Sequence, residues 1–212
     1  MEHFLVIAAA HFFALLSPGP DFFLIVRTSL AAGWHMASGA CLGVALANGV
    51  FIVAAFVGTA ALRPGSLLFV ALQLAGCAYL LYLGVLFIRH AGSSDLAVAA
   101  ASRTTAPAHP RAAWRRAVGM GFLSGILNPK NALFYASLAA MLTDPHASVG
   151  WKTLYGTWMF SVVLLWDLLV AVLIGNPAVL RRFARALPWL ERISGIVLIL
   201  LALGVIMALL LP

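Results

Sequence analysis

The chain has 212 residues, of which 64% are hydrophobic and only 9% charged, and its mean hydropathy is +1.05. Soluble domains carry about 45–50% apolar and about 25% charged residues, and a fold of this size cannot hide so much apolar surface from water, so a water-soluble domain is excluded. The net charge of +7 is not read as a nucleic-acid footprint, because the basic residues fall in short stretches between apolar runs, where they set membrane topology.

A helix that crosses the hydrocarbon core needs roughly 20 apolar residues. Six runs meet that need, at about 4–27, 38–62, 66–89, 117–142, 151–175 and 190–211. Met1-Glu2-His3 places no Lys or Arg ahead of the first run, against the pattern of a cleaved signal peptide. Turn chemistry marks the breaks: Arg63-Pro64-Gly65 after the second run, Asp144-Pro145-His146 after the fourth, Asn176-Pro177 after the fifth and Pro188 before the sixth. The stretch 90–116, rich in Ala, Ser, Thr and Pro, reads as a flexible loop with a basic end. Cys41 and Cys77 lie inside apolar runs and read as small packing residues. No Cys/His metal spacing is present, and neither a metal nor a cofactor is expected.

Cationic residues in short loops mark the cytoplasmic side. Arg27, Arg89, Arg103, Arg111, Arg115, Arg116, Arg181, Arg182, Arg185 and Arg192 fall at alternate connections, against Arg63 and Lys152 on the other side. Both termini are therefore expected outside the cytoplasm, in a multi-pass membrane protein.

Two of the runs are interrupted by proline: Ser17-Pro18-Gly19-Pro20-Asp21 in the first and Asn128-Pro129-Lys130-Asn131 in the fourth. Each opens a three-span half, and three is odd, so the second half enters the membrane from the opposite side. The expected fold class is an all-α integral membrane protein, with six transmembrane helices as two inverted three-helix repeats and helices 1 and 4 broken by proline. One transmembrane domain fills 1–212, as repeat one (1–89), a cytoplasmic loop (90–116) and repeat two (117–212). Matching Pro/Gly interruptions in two halves point to a midplane binding site. A proline can also simply kink a membrane helix; two at equivalent positions with polar neighbours favour a site.

Ser17 suits an N-cap with Pro18 as first residue of a half-helix, and Asn128-Pro129 repeats the arrangement. Half-helices that start inside the membrane offer free N–H groups and a partial positive charge, which attract a carboxylate. Gly19 permits close approach. Lys130, deep in an apolar run, is costly there and marks function. A zwitterionic amino acid needs one cationic and one anionic partner: Lys130 with the half-helix starts for its carboxylate, Asp21 for its ammonium group. The plainer alternative pairs Asp21 with its own half-helix start and with Lys130 as structural glue. Asp167, in the middle of the fifth run, is the other buried acid. Asp21 and Asp167 are the candidates for proton coupling, against an Asp167 satisfied by Asn48 or Gln73. His11 joins such a relay or packs as a hydrogen-bonded core histidine. Asn48 either lines the cavity or bonds between helices. Pro20 and Asn131 complete the substrate-binding set. The GxxxG patterns 39–43 and 121–125 read as close internal helix packing.

The run Ala14-Leu15-Leu16-Ser17-Pro18-Gly19-Pro20-Asp21-Phe22-Phe23 resembles the first-span signature of the lysine exporter and threonine–homoserine efflux family. Gly121-Phe122-Leu123 with Asn128-Pro129-Lys130 resembles its fourth-span signature, and length and span count match along nearly the whole chain. Tyr79-Leu80, with the first-span signature, is most similar to the threonine-exporter branch. The resemblance implies proton-driven export of threonine, homoserine or a related neutral amino acid from a bacterial cytoplasm, with substrate, protons and lipid as partners, no nucleic acid, and a homodimer left open. Asn131, where many members carry a small apolar residue, and Asp167 beside Trp166, where a neutral residue is expected, depart from the pattern.

An exporter of another small solute or an ion, and a membrane-embedded enzyme, are the competing functions. The sequence has no HExxH, no GxSxG and no phosphate-cradling glycine loop. It shows no rings of like charge or carbonyl-filter sequence either. An enzyme is therefore not expected.

Overall fold

A computed structural model describes residues 2–16, 19–60, 66–92, 109–141 and 149–210. Eight helices and no strands occur among the described residues: α1 (Glu2–Leu16), α2 (Pro20–Ala32), α3 (Trp34–Ala60), α4 (Leu67–Arg89), α5 (Pro110–Ile126), α6 (Pro129–Met141), α7 (Val149–Ile174) and α8 (Pro177–Leu210). Three carry apolar stretches long enough to cross a bilayer, at Trp34–Gly58, Gly150–Ile174 and Ala178–Met207. The α1–α2 pair is bent by 55° at its break and serves as a fourth span when the two are counted together.

Polarity is arranged for lipid. Val53, Val57, Leu165 and Leu200 are more than 60% exposed on helix flanks, while His11, Asn48, Asn128 and Asp167 are buried. Water would reverse this order; lipid favours it, because only the bundle interior can satisfy polar groups.

Two cores hold the bundle. One joins Ala14, Cys77, Leu80, Phe134, Tyr135, Met159 and Leu198; the other joins Ile25, Val26, Ala40, Cys41, Val44, Val163, Val170 and Ile174. The GxxxG patterns meet each other where α3 crosses α5. A Cβ on Gly43 would collide with the Val118 carbonyl oxygen, and one on Gly121 with that of Ala40. These glycines let the two backbones touch, as the sequence anticipates. Gly84 of α4 and Gly195 of α8 form a second such crossing, each facing the other's carbonyl oxygen within 2.6 Å of an added Cβ.

Three boundaries differ from the sequence reading. Pro188 lies inside α8 rather than ahead of it, and the expected basic connection 176–189 is mostly helix. Asn176 Oδ1 caps this helix by accepting from the Ala178 amide at 2.8 Å. Leu180, Phe183 and Leu187 then fall on one helical face and pack into the second core, with Arg181, Arg182 and Arg185 exposed opposite. An interior proline loses one ladder bond and crowds the carbonyl one turn earlier, and this apolar contact works against that cost. The helix α5 begins at Pro110 and takes in Arg111, Arg115 and Arg116. Arg27 lies within α2, which runs on to Ala32 and ends at Gly33, a glycine with φ +84°.

Candidate functional site

The breaks in the two interrupted runs come together. In the second, Asn128 precedes α6 and its Oδ1 accepts from the Lys130 amide at 3.0 Å, with Pro129 as first helical residue. This is the expected cap: asparagine serves an orphan donor, and proline occupies the position where an amide would go unused. The first break differs. The helix α2 begins at Pro20 with Gly19 as its cap, a residue with no side chain to bond there. The half-helix therefore starts two residues later than the Ser17-Pro18 assignment; Ser17 and Pro18 lie outside the described residues. Local chemistry permits this because Pro20, too, is pre-set for a first helical position. An added Cβ on Gly19 would lie 3.6 Å from Asn128 Nδ2 and 3.8 Å from Lys130 Nζ, ordinary contact distances. The packing itself therefore leaves room for a methyl group.

Asp21, in the first turn of α2, ties the breaks together. Its Oδ1 accepts from Ser124 Oγ at 2.6 Å, and its Oδ2 accepts from Asn128 Nδ2 at 2.9 Å and Asn131 Nδ2 at 2.7 Å. A carboxylate near a helix start also complements the partial positive charge there. All three donors come from the other half of the chain. Lys130 Nζ donates to the Ala14 carbonyl oxygen at 3.1 Å, in the last turn of α1, and sits 5.1 Å from the centre of the Phe87 ring. The last carbonyls of a helix lack partners within it and carry partial negative charge, so a cation is favoured there.

These groups line a cavity of about 50 Å³. Gly19, Asp21, Asn48, Asn128, Lys130, Asn131 and Asp167 are on its wall, with His11, Phe22, Phe134, Tyr135 and Trp166. Pro20 and Pro129 open their helices beside it. By the measure in which one water needs roughly 10–15 Å³, the cavity holds a few waters and must widen to take an amino acid.

Asn48 lines the cavity while its Nδ2 donates to Val44 O of its own helix at 2.8 Å. It therefore does not satisfy Asp167, whose Oδ2 is buried with no hydrogen-bond partner among the described residues. His11 is a packed histidine on the wall: its ring shares a 3.0 Å hydrogen bond with the Tyr135 hydroxyl through Nε2 and lies about 6 Å from the Phe134, Tyr135 and Trp158 rings. Its Nδ1 is buried with no hydrogen-bond partner among the described residues.

Sequence reasoning did not single out Ser124, Phe134, Tyr135 and Trp166 for the site. A signal was present for two of them. Ser124, Asn128, Asn131 and Tyr135 are spaced by four, three and four, one face of a helix. Ser124 was hidden inside the GxxxG pattern 121–125, where only packing was read.

Apolar helices with outward lipid faces, enclosing a cavity lined by charged groups between two helix breaks, define a membrane transporter. Comparison with known families agrees: the LysE type translocator family matches residues 12–209. The chain belongs to that family, and is a transporter rather than an enzyme. It is 27% identical over 195 residues to the threonine efflux protein of Escherichia coli (strain K12), covering 91% of each chain. It is 26% identical over 200 residues to the threonine efflux protein of Salmonella typhimurium (strain LT2), covering 92% of this chain and 93% of that one. A leucine efflux protein of Klebsiella pneumoniae is 30% identical over 141 residues, covering 64% of this chain and 60% of its own. No solved structure matches.

Proposed function

We propose that the protein exports a neutral amino acid, threonine, homoserine or one of similar size, from the cytoplasm in exchange for protons. The observation that carries this reading is the meeting of both helix breaks at one cavity that holds a cation, Lys130, and two acids, Asp21 and Asp167. A zwitterion needs both signs, and a coupled proton needs a carboxylate. Lys130 and the first turns of α2 and α6 suit the substrate carboxylate. The efflux names of the relatives support outward transport of amino acids.

Alternating access follows from six spans in two inverted halves: α1–α2, α3 and α4, then α5–α6, α7 and α8. In support, equivalent helices pack on each other, α3 on α7 and α4 on α8, and α2 on α7 answers α6 on α3. The extensive α3–α5 contact has only a slight counterpart in α1–α7, so the halves have diverged. The arginine bias supports an orientation in a bacterial inner membrane with both termini on the non-cytoplasmic side.

Uptake of labelled threonine, homoserine, leucine and lysine into inverted vesicles, with and without a proton gradient, tests this. Gradient-dependent uptake of a neutral amino acid is expected. Uptake of lysine alone, or of none of the four, contradicts it.

A further inference from the structure

The two acids of the cavity differ in their hydrogen bonding. Asp21 has about four acceptor sites on its carboxylate, and three are taken by Ser124, Asn128 and Asn131. Asp167 is 8% exposed, lies on the same cavity, and has an oxygen with no partner among the described residues. A buried carboxylate without a partner is strongly disfavoured. Two things relieve it: a proton on the carboxylate, or a cation beside it.

We infer that Asp167, rather than Asp21, receives the substrate's ammonium group, and that the proton and the ammonium compete for this one carboxylate. Asp21 is then the clamp that holds the two helix breaks together. The inference rests on the amino-acid export reading and gives its coupling a physical form. With the cavity open to the cytoplasm, a zwitterionic amino acid arrives, the proton leaves the Asp167 carboxyl for the cytoplasm, and the –NH3+ group takes its place. With the cavity open outward, the amino acid leaves and a proton from that side returns to the carboxylate. Each cycle moves one neutral zwitterion out and one proton in, so charge and protons balance and no further reactant is needed.

The neighbours of Asp167 fit the exchange. His11 from α1, Asp21 from α2, and Lys130 and Tyr135 from α6 share its cavity, and Cys41 of α3 lies within electrostatic reach; among the described residues α8 contributes none to the cavity wall. Lys130 lines the same wall, its Nζ held at the Ala14 carbonyl oxygen, and presents its positive charge to the carboxylate at the other end of the same substrate. Ammonium and carboxylate groups are adjacent on every α-amino acid, so Asp167 and Lys130 read the part common to the class. The side chain is left to Phe22, Phe134 and Trp166.

The test uses the full-length protein in lipid nanodiscs. Binding of L-threonine, L-homoserine and L-leucine is measured across pH, together with proton release in weak buffer. For the wild type, about one proton is expected per amino acid bound, with affinity falling about tenfold per unit of acidification below the titration. Asp167→Asn is expected to lose both the release and the pH dependence and to bind roughly 100-fold more weakly or worse. Asp167→Glu, which keeps the carboxylate, is expected to retain the release with a displaced pH profile. Proton release that persists in Asp167→Asn, or wild-type affinity in that variant, overturns the inference and leaves amino-acid export standing. A wild type that binds none of the three overturns both.

Discussion

Removal of the Asp21 carboxylate should loosen the junction of the two halves by an amount the geometry bounds. Asp21→Ala deletes three hydrogen bonds of 2.6 to 2.9 Å, all from the α5–α6 side. Bonds between membrane helices average about 0.6 kcal/mol and reach about 1.7, so three amount to about 2–5 kcal/mol. The ionised acceptor and short distances push upward; the half-buried setting of Asp21, Ser124 and Asn131, where cavity water can replace the carboxylate, pushes downward. About 3 kcal/mol is expected. Asp21→Asn should cost about half, since bonds to neutral acceptors are worth about half those to charged ones. Its amide oxygen can still serve both asparagines, and the Ser124 hydroxyl can turn to accept from its NH2. Unfolding in mixed micelles measures both, and a double-mutant cycle of Asp21→Ala with Asn131→Ala isolates the link across the halves. A loss below about 0.5 kcal/mol, or the two substitutions adding independently, would refute the clamp.

Gly43→Ala should cost about 1–3 kcal/mol, because the new methyl meets backbone of α5 that cannot give way. Gly119→Ala, with nothing within 4 Å of its Cβ, should be neutral or stabilising by up to about 1 kcal/mol. Thermal unfolding of the two variants in one detergent compares them, and equal shifts would contradict the close crossing. Asp167→Asn keeps the shape of a side chain whose buried Oδ2 has no hydrogen-bond partner among the described residues, so its thermal stability should equal or exceed that of the wild type. A loss above about 1 kcal/mol would show that Asp167 is a structural anchor. Gly19→Ala should fold normally, since its methyl finds contacts of 3.6 to 3.8 Å, yet weaken transport by narrowing the cavity. Wild-type transport with bulky residues at position 19 would remove that face from the site.

Much of the candidate site's lining was legible because membrane burial makes charge conspicuous. Lys130, Asp21 and Asp167 stand out in apolar runs, and the proline breaks beside the first two predicted the junction where α2 and α6 begin. What the residues alone could not say was how three polar groups pair. Opposite charges suggested Asp21 with Lys130, but the bonds of Asp21 come from Ser124, Asn128 and Asn131, while Lys130 reaches the end of α1. That choice depends on the angle between half-helices, which no local pattern encodes. The start of α2 was misplaced because Pro18 and Pro20 are both suited to a first helical position. The helical stretch 177–189 was missed because Pro188 and its arginines read as a connection; the spacing of Leu180, Phe183 and Leu187 carried the contrary signal.

The central claim is that the cavity between the two helix breaks is where substrate binds and crosses. Substrate counterflow measures this without a proton gradient: vesicles holding wild-type protein or Lys130→Ala are loaded with unlabelled L-threonine or L-homoserine, and entry of the labelled amino acid is followed. Wild-type vesicles should exchange the amino acid, and vesicles with equal amounts of folded Lys130→Ala should fall to the protein-free background. Exchange by Lys130→Ala at a rate near that of the wild type would place the substrate path elsewhere in the bundle.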